Sequence, residues 1–271
     1  MKDFRQQIQF FEQKLRSKEP FAFVRYSDGE LNILMSRYTE LSNIIKFGTP
    51  DNMKQINYAY APEDHKLFDP KKHEFYKDKL KDSLLFEKKG YYKGIISGCQ
   101  EETDPEIYNA QFKILNKTIE EVTNDEHFTY ADLFLNGNYP YFIQNLLPQF
   151  FNYKTVIICN ENANIDTLPF PVVKDFRVGY NCFINDHDII KDIKQYISSN
   201  NIENHLFLFS ASSLSEVAIH QLYDFNDKNT YLDIGTCLTI FLKLSIDRNY
   251  LRGFWLNSGE ADIHKINQWQ I

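Results

Sequence analysis

The hydrophobic and polar residues of this chain fall into short alternating blocks that predict strands followed by helices. Apolar residues recur at helical spacing from Phe4 to Leu15, and compact apolar runs bounded by turn residues come after them. The predicted strands are 21–26, 44–47, 92–96, 131–135, 155–159, 172–176, 206–209 and 231–234. The predicted helices are 4–15, 30–41, 70–89, 105–123, 141–147, 188–198 (capped by Asn185 or Asp186) and one that follows Ser213. This alternation predicts an α/β fold with a mostly parallel sheet and helices on both faces.

The chain shows no internal repeat and no long linker, which favours a single domain. We expect one Rossmann-like domain over residues 1–271, with an N-terminal helix in 1–18, a core in 20–240 and a C-terminal extension in 241–271. Apolar residues make up 43% of the chain and aromatic residues 15%, which excludes a disordered chain and predicts a core rich in aromatic rings.

The charge balance argues against nucleic acid as a partner. The net charge is −7, whereas proteins that bind nucleic acid through its phosphates normally carry a basic balance or a basic stripe. Lysines are dense between Lys66 and Lys89, but acidic residues interleave with them. We therefore expect a solvated helix face in that stretch.

Cysteine spacing and hydropathy indicate the compartment. Cys99, Cys159, Cys182 and Cys237 include no Cys-x-x-Cys pair, so we expect buried free thiols in a reducing environment. No stretch approaches about 18 apolar residues, and residues 1–17 lack an apolar leader. These features predict a cytoplasmic protein without a membrane span.

Small or polar residues follow most of the predicted strands. These turns are 27–29, 97–98, 136–138, 160–164, 210–213 and 233–235. Because the carboxyl ends of parallel strands meet at one edge of a sheet, we expect the turns to lie together and form a ligand site. The pattern alone does not identify the ligand.

The first of these turns carries two carboxylates beside a permanent cation, Arg25. One interpretation of Ser27-Asp28-Gly29-Glu30 is a capping box, in which Ser27 and Glu30 exchange hydrogen bonds at the start of a helix. The other is a binding site, in which Asp28 and Glu30 hold a hard divalent ion that carries a phosphorylated substrate. The spacing alone favours the cap, and the two roles are compatible.

Residues 21–30, Phe-Ala-Phe-Val-Arg-Tyr-Ser-Asp-Gly-Glu, resemble the N-terminal signature of the GT-D glycosyltransferases. This group was once catalogued as a domain of unknown function, and its metal-binding element is Asp-x-Glu. Three later segments are similar to further elements of that family and come in the expected order: 155–163, 206–213 and 231–235. The resemblance spans residues 20–240 of this chain.

The resemblance implies a GT-D type fold and a hexosyltransferase. Its donor would be a nucleotide sugar, a UDP-sugar above all, and its acceptor a glycan, a glycoprotein or another hydroxyl compound. It also implies that Asp28 and Glu30 bind Mn²⁺ or Mg²⁺, which would stabilise the leaving diphosphate. UDP would then stabilise the protein only in the presence of one of these ions.

The resemblance further places individual residues in the expected site. Those expected to bind the nucleotide or its sugar are Arg25, Asp28, Asn136, Asn162, Ser210, Ser212 and Ser213. The catalytic candidates are Asp233 and Glu161, with Asp132 as a further candidate base. Each also has a structural interpretation: a salt bridge for arginine, helix caps for the serines and Asp233, and turns for the asparagines.

The chain departs from the family pattern at three places. Ser27 stands where Gly is usual, Asn136-Gly137 where the family has Glu-Gly, and Thr236-Cys237 where it has His and Asp. The acceptor and the catalytic base are therefore open. Two other classes also remain open, namely a catalytically inactive nucleotide-binding or sugar-binding module and a methyltransferase, because 231–236 is similar to a strand and turn that bind S-adenosylmethionine.

Overall fold

The computed structural model describes residues 3–41, 44–49, 52–57, 65–98, 104–246 and 248–255. Its strands are β1 Ala22–Arg25, β2 Tyr38–Leu41, β3 Ile44–Thr49, β4 Asn52–Asn57, β5 Lys66–Phe68, β6 Tyr91–Ile95, β7 Phe128–Tyr130, β8 Lys154–Asn160, β9 Val172–Val178, β10 His205–Phe209 and β11 Thr230–Asp233. Its α-helices are α1 Phe4–Ser17, α2 Asp28–Leu34, α3 Glu74–Leu85, α4 Pro105–Leu115, α5 Ile119–Asn124, α6 Tyr139–Tyr141, α7 Cys182–Asn185, α8 Ile189–Ser199, α9 Leu214–Phe225 and α10 Asn249–Trp255.

Seven strands form the main sheet, in the order β7-β6-β1-β11-β10-β8-β9. Every neighbouring pair is parallel, so all seven carboxyl ends lie at one edge. Ala22 pairs with Tyr91 of β6 and with Tyr231 of β11, which places β1 beside the last strand of the chain. The predicted parallel α/β fold is confirmed, whereas the expected domain boundaries stay a prediction.

Both faces of the main sheet are buried, which explains the uninterrupted apolar runs in its strands. In β1, Ala22 and Val24 belong to the core that includes residues of α3, α8 and α9. Phe21 and Phe23 belong to the opposite core, where they contact the ring of Phe11 from α1. The aromatic residues thus build the core, as the composition predicts.

A second sheet was not predicted. It has four antiparallel strands in the order β4-β3-β2-β5. The helix predicted over 30–41 is wrong beyond Leu34, because Ser36 adopts a left-handed conformation with φ 58° and the chain turns into β2. Tyr38 and Thr39 favour a strand, and here they pair with β3 and β5.

Three further elements differ from the prediction. The helix predicted over 105–123 is two helices, because Asn116 ends α4 in a left-handed conformation and Thr118 caps α5. The strand predicted over 131–135 lies at Phe128–Tyr130, and the apolar residues that follow are buried in turns. The cap of α8 is Asp188, since Asn185 and Asp186 belong to the preceding turn of helix.

The described cysteines and helices can be compared with the sequence predictions. Cys159, Cys182 and Cys237 are buried and free, as predicted, and Cys99 lies outside the described residues. Within the described ranges, no helix combines the length and the hydrophobicity needed to cross a membrane.

Candidate functional site

An ion pair between Arg25 and Asp233 joins the first strand of the main sheet to the last. Arg25 ends β1 and Asp233 ends β11, and these strands are neighbours. The Arg25 Nε donates to Asp233 Oδ2 at 2.9 Å, and Nη2 lies 3.4 Å from Oδ1. Burial alone would lower the pKa of Arg25, but the charge of Asp233, the hydrogen bond to it and smaller contributions from neighbouring groups together raise the pKa. Arg25 therefore stays positively charged at the carboxyl edge of the sheet.

The turn after β11 holds Asp233 in place. The Gly235 amide donates to Asp233 Oδ1 at 2.9 Å, and the Ser210 hydroxyl donates to the Gly235 carbonyl at 2.7 Å. Gly235 has φ +48°, and a Cβ at this position would lie 2.2 Å from Arg25 Nη2. The glycine of the Asp-Ile-Gly turn is thus required for both its conformation and the close approach of the guanidinium.

A second buried ion pair lies in the turn after β1. Glu30 Oε1 is 3.0 Å from Lys66 Nζ and accepts from the Ser213 hydroxyl at 2.5 Å. Lys66 Nζ also donates to Ser213 Oγ at 2.6 Å, which closes a triangle of three side chains. The three come from α2, from β5 of the small sheet and from the residue before α9.

Ser27 occupies the other oxygen of Glu30. Its amide and its hydroxyl donate to Glu30 Oε2 at 3.2 Å and 2.9 Å. The capping interpretation of Ser27 and Glu30 is therefore correct, and the same carboxylate also holds Lys66. Burial alone would raise the pKa of Glu30, but Lys66 and the hydrogen bonds from Ser213 and Ser27 lower it to about 2. Glu30 is an anion at every physiological pH.

Glu216, in the first turn of α9, is a third buried carboxyl beside these pairs. Its side chain is 2% exposed, and no described group hydrogen-bonds to its Oε2. Burial raises its pKa well above the usual range, and the charges of Glu30 and Asp233 raise it further. Glu216 therefore keeps its proton in the folded protein while Glu30 is ionised.

Replacing Glu216 by Gln is expected to stabilise the protein at neutral pH. A raised folded pKa means that the unfolded chain loses the proton first, so wild-type stability falls as the pH rises above about 4.5. Gln keeps the shape of the neutral acid and removes this dependence. We expect a gain of about 1 kcal/mol or more at pH 7 that disappears near pH 4, measured by urea unfolding.

Exposed Glu126, in the turn before β7, supplies the control for this measurement. Glu126→Gln should leave the pH dependence of stability as in the wild type. An equal gain for Glu216→Gln at pH 4 and pH 7 would contradict a protonated Glu216.

Glu30 and Asp28, the expected metal ligands, have different surroundings in the structure. Both oxygens of Glu30 are already engaged, and the Lys66 ammonium lies where a cation bound to Oε1 would sit. Glu30 therefore does not fit as a metal ligand in this arrangement, whereas Asp28 is exposed at the start of α2. Among the described residues no three His, Cys, Asp or Glu side chains are placed to hold a metal ion. Binding of Mn²⁺ or Mg²⁺ stays a prediction.

Asn136 and Asp132 lie on the other flank of Arg25. Asp132 follows β7, and its carboxyl interacts with the side chain of Asn136 and with the charge of Arg25. Burial raises the pKa of Asp132. The Arg25 Nη1 also lies 3.5 Å from the Ala131 carbonyl, so the turns after β1, β7 and β11 meet as predicted.

The remaining predicted residues lie further out. Ser212 is exposed beside Ser213, with φ 49°. Glu161 is exposed after β8, two strands from β11, and its carboxylate faces Gly179 at the end of β9. The Asn162 amide donates to Asn160 Oδ1 at 2.8 Å, which is the turn role expected of such residues. Glu161 and Asn162 are thus not brought next to the Arg25–Asp233 pair.

Two residues in or beside these ion pairs, Lys66 and Glu216, could not be predicted from the sequence. Lys66 was expected on a solvated helix face, yet it is 8% exposed and lies on β5. The sequence does not single out Glu216, because one acidic residue in the first turn of a helix is ordinary. The only local signal for Glu216 was its apolar surroundings, Leu214, Val217 and Ala218, which place it on a buried stretch.

Comparisons with known proteins show the fold. No protein-family model and no curated protein matches the chain. A glycosyltransferase of the domain of unknown function 1792 from Streptococcus sanguinis is 13% identical, with a TM-score of 0.53 over 94% of this chain and 90% of that one. A domain of unknown function 1792 described as having a distinct glycosyltransferase fold is 11% identical, with a TM-score of 0.54 over 97% of this chain and 92% of that one.

A selenomethionine-substituted structure of the domain of unknown function 1792 gives the same picture. It is 12% identical to this chain, with a TM-score of 0.54 over 97% of this chain and 92% of that one. The fold expected from the GT-D resemblance is confirmed over nearly the whole length of both chains.

Proposed function

We propose that this protein is a glycosyltransferase that takes its sugar from a nucleoside diphosphate donor, with UDP-sugars as the expected donors and a glycan, a glycoprotein or another hydroxyl compound as the acceptor. The observation that supports this most is the contact between the first and last motifs of the GT-D resemblance. Arg25 and Asp233 are 208 residues apart in sequence and form an ion pair at the edge where α/β proteins bind ligands.

The charges of this edge suit a diphosphate. Two guanidinium nitrogens of Arg25 engage Asp233, and the other N–H groups of the fork are suited to phosphate oxygens. The Ser212–Ser213 turn opens α9, so its amides and the Ser212 hydroxyl add neutral donors beside that charge. We therefore assign the diphosphate to the space between the turns after β1 and β10.

Asp233 is assigned a positioning role in this proposal. Its side chain is 2% exposed, and its oxygens accept from Arg25 and from the Gly235 amide. A carboxylate held in this way orients the guanidinium that receives the donor. The proton of the acceptor hydroxyl would go to a more exposed carboxylate, and Asp28, at the start of α2, is exposed. Glu161, the other exposed candidate, lies two strands from β11.

Ligand binding and donor turnover test the proposal. UDP is expected to raise the melting temperature, whereas S-adenosylmethionine should leave it unchanged. A panel of nucleotide sugars is then screened for release of free nucleoside diphosphate, which separates an active enzyme from a module that only binds. Arg25→Lys should weaken UDP binding, and Arg177→Lys, in the partly exposed ion pair with Asp175 on β9, is the matched control.

Stabilisation by S-adenosylmethionine alone would support the methyltransferase alternative. UDP binding without turnover of any donor would support the inactive module. No response to any nucleoside diphosphate would overturn the proposed function.

A further inference from the structure

We propose that Lys66 is the resident cation of this site: its ammonium group takes the place of a divalent ion beside Glu30 and neutralises the diphosphate of the donor. The second half of this inference rests on the proposed function, and the first half does not.

The surroundings of Lys66 Nζ are those of a bound cation. Glu30 Oε1 and Ser213 Oγ lie at 3.0 Å and 2.6 Å from it. Two further acidic side chains, Glu216 and Asp28, are close enough to interact with it, so the ammonium lies among three acidic residues. A hard divalent ion seeks the same set of carboxylate and hydroxyl oxygens.

The cation and a metal ion compete for one position. Mg²⁺ binds carboxylate oxygens at about 2.0–2.1 Å and carries twice the charge of an ammonium group. The Glu30 oxygen that would face the ion is the one that Lys66 holds, and the other accepts from Ser27. A metal ion on Glu30 would require Lys66 to leave a buried position and its carboxylate partner.

Glu216 strengthens the comparison with a cation site. Glu216 is 2% exposed, and none of the described groups hydrogen-bonds to its Oε2. As a neutral carboxylic acid, Glu216 can lie beside the ionised Glu30 while Lys66 supplies the one positive charge next to them. With Lys66 removed, Glu216, Glu30 and Ser213 would leave an oxygen-lined gap of the kind that binds Mn²⁺.

Lys66 also has the means to reach a ligand. An ammonium group has three N–H donors, and the described partners take two of them. Gly29 lies over the group, since a Cβ there would come within 3.1 Å of Nζ. Gly29 adds no side chain over the third donor on the side of the Ser27–Glu30 turn, where the proposed function places the diphosphate.

The first test measures Mn²⁺ binding by the protein alone, with no nucleotide present. Lys66→Ala is titrated with Mn²⁺ and followed by electron paramagnetic resonance and by thermal unfolding. We expect the variant to bind Mn²⁺ at least tenfold more tightly than the wild type and to gain ~5 °C at saturation. Lys14→Ala, which removes another lysine–glutamate pair on α1, should behave as the wild type. Equal Mn²⁺ binding by the wild type and Lys66→Ala would overturn the assignment.

The second test measures UDP binding, and its deciding outcome uses the unaltered protein, so that outcome does not depend on the folding of a variant. Wild-type protein should bind UDP equally well in EDTA and in Mn²⁺, and Lys66→Arg, which keeps the charge, should do the same. Lys66→Ala should lose at least tenfold in UDP affinity in EDTA and recover it in Mn²⁺. Tighter binding of UDP by the wild type in Mn²⁺ would overturn the role of Lys66. No UDP binding in either buffer would overturn the proposed function, while the first test would still decide the cation position.

Discussion

Glu30→Gln is expected to destabilise the protein by about 3–5 kcal/mol. The substitution leaves Lys66 charged and buried without an ionised partner, which is the costly way to break a buried ion pair. Gln still serves at the third position of a capping box, so the loss reports the ion pair and not the helix cap. Urea unfolding and a melting temperature lower by roughly 10 °C would measure it.

The control for Glu30→Gln is an exposed pair of the same chemistry. Glu203 pairs with Lys228, and both side chains are about half exposed, so Glu203→Gln should cost less than ~1 kcal/mol. Adding Lys66→Met to Glu30→Gln should recover most of the loss, because it removes the unpaired charge. A loss for Glu30→Gln no larger than that of Glu203→Gln would contradict a buried ion pair.

The same pair predicts a pH window. Glu30 has a folded pKa of about 2 against an ordinary value of 4.5, so its contribution is present above pH 4.5 and is lost as the pH falls towards 2. The difference in stability between the wild type and Glu30→Gln should therefore shrink over that range.

Asp233→Asn is expected to lower kcat/KM for donor turnover about 100-fold and to weaken UDP binding. Asn keeps the size of the side chain but leaves Arg25 without its charge partner, so the guanidinium loses its orientation. Misplacement of a binding group by about 1 Å can cost this much. Steady-state kinetics with a UDP titration would show the effect in both quantities.

A positioning role and a base role for Asp233 separate in this experiment. If Asp233 positions Arg25, Arg25→Lys combined with Asp233→Asn should be no worse than either alone, and the pH profile should keep its shape. A fall in kcat with unchanged UDP affinity and a lost acidic limb would instead show that Asp233 is the base. Asp175→Asn, which breaks the Arg177 pair on β9, is the control and should leave turnover unchanged.

The main sheet could be predicted because its strands are buried on both faces. Runs such as Leu206 to Phe209 and Phe21 to Val24 are apolar at every position, and a helical pattern follows each. The small sheet could not be predicted in this way. Its strand β2 carries Tyr38, Thr39 and Glu40 directly after a helical pattern, and the left-handed turn at Ser36 and the pairing with β3 and β5 are not visible in that pattern.

The residues of the candidate site also differ in whether the sequence predicts their position. Arg25, Asp233 and the Ser210–Ser213 turn could be placed at one edge because each follows a strand of one parallel sheet. Lys66 could not, because its partner is 36 residues away and the next lysines along the chain, Lys71 and Lys72, are exposed. An ion pair between helix α2 and strand β5 is a tertiary contact, and periodicity carries no information about it.

The triangle of Glu30, Lys66 and Ser213 also bears on how relatives of this protein can diverge. Replacing Glu30 or Lys66 alone leaves the other residue as an unpaired buried charge, whereas replacing both removes both charges. Lineages should therefore carry lysine at position 66 together with glutamate at position 30, or replace both in close succession. Where lysine is absent and the acidic residue is retained, a metal requirement should appear in its place. We therefore expect the residue at position 66 to distinguish relatives that need a divalent ion from relatives that do not.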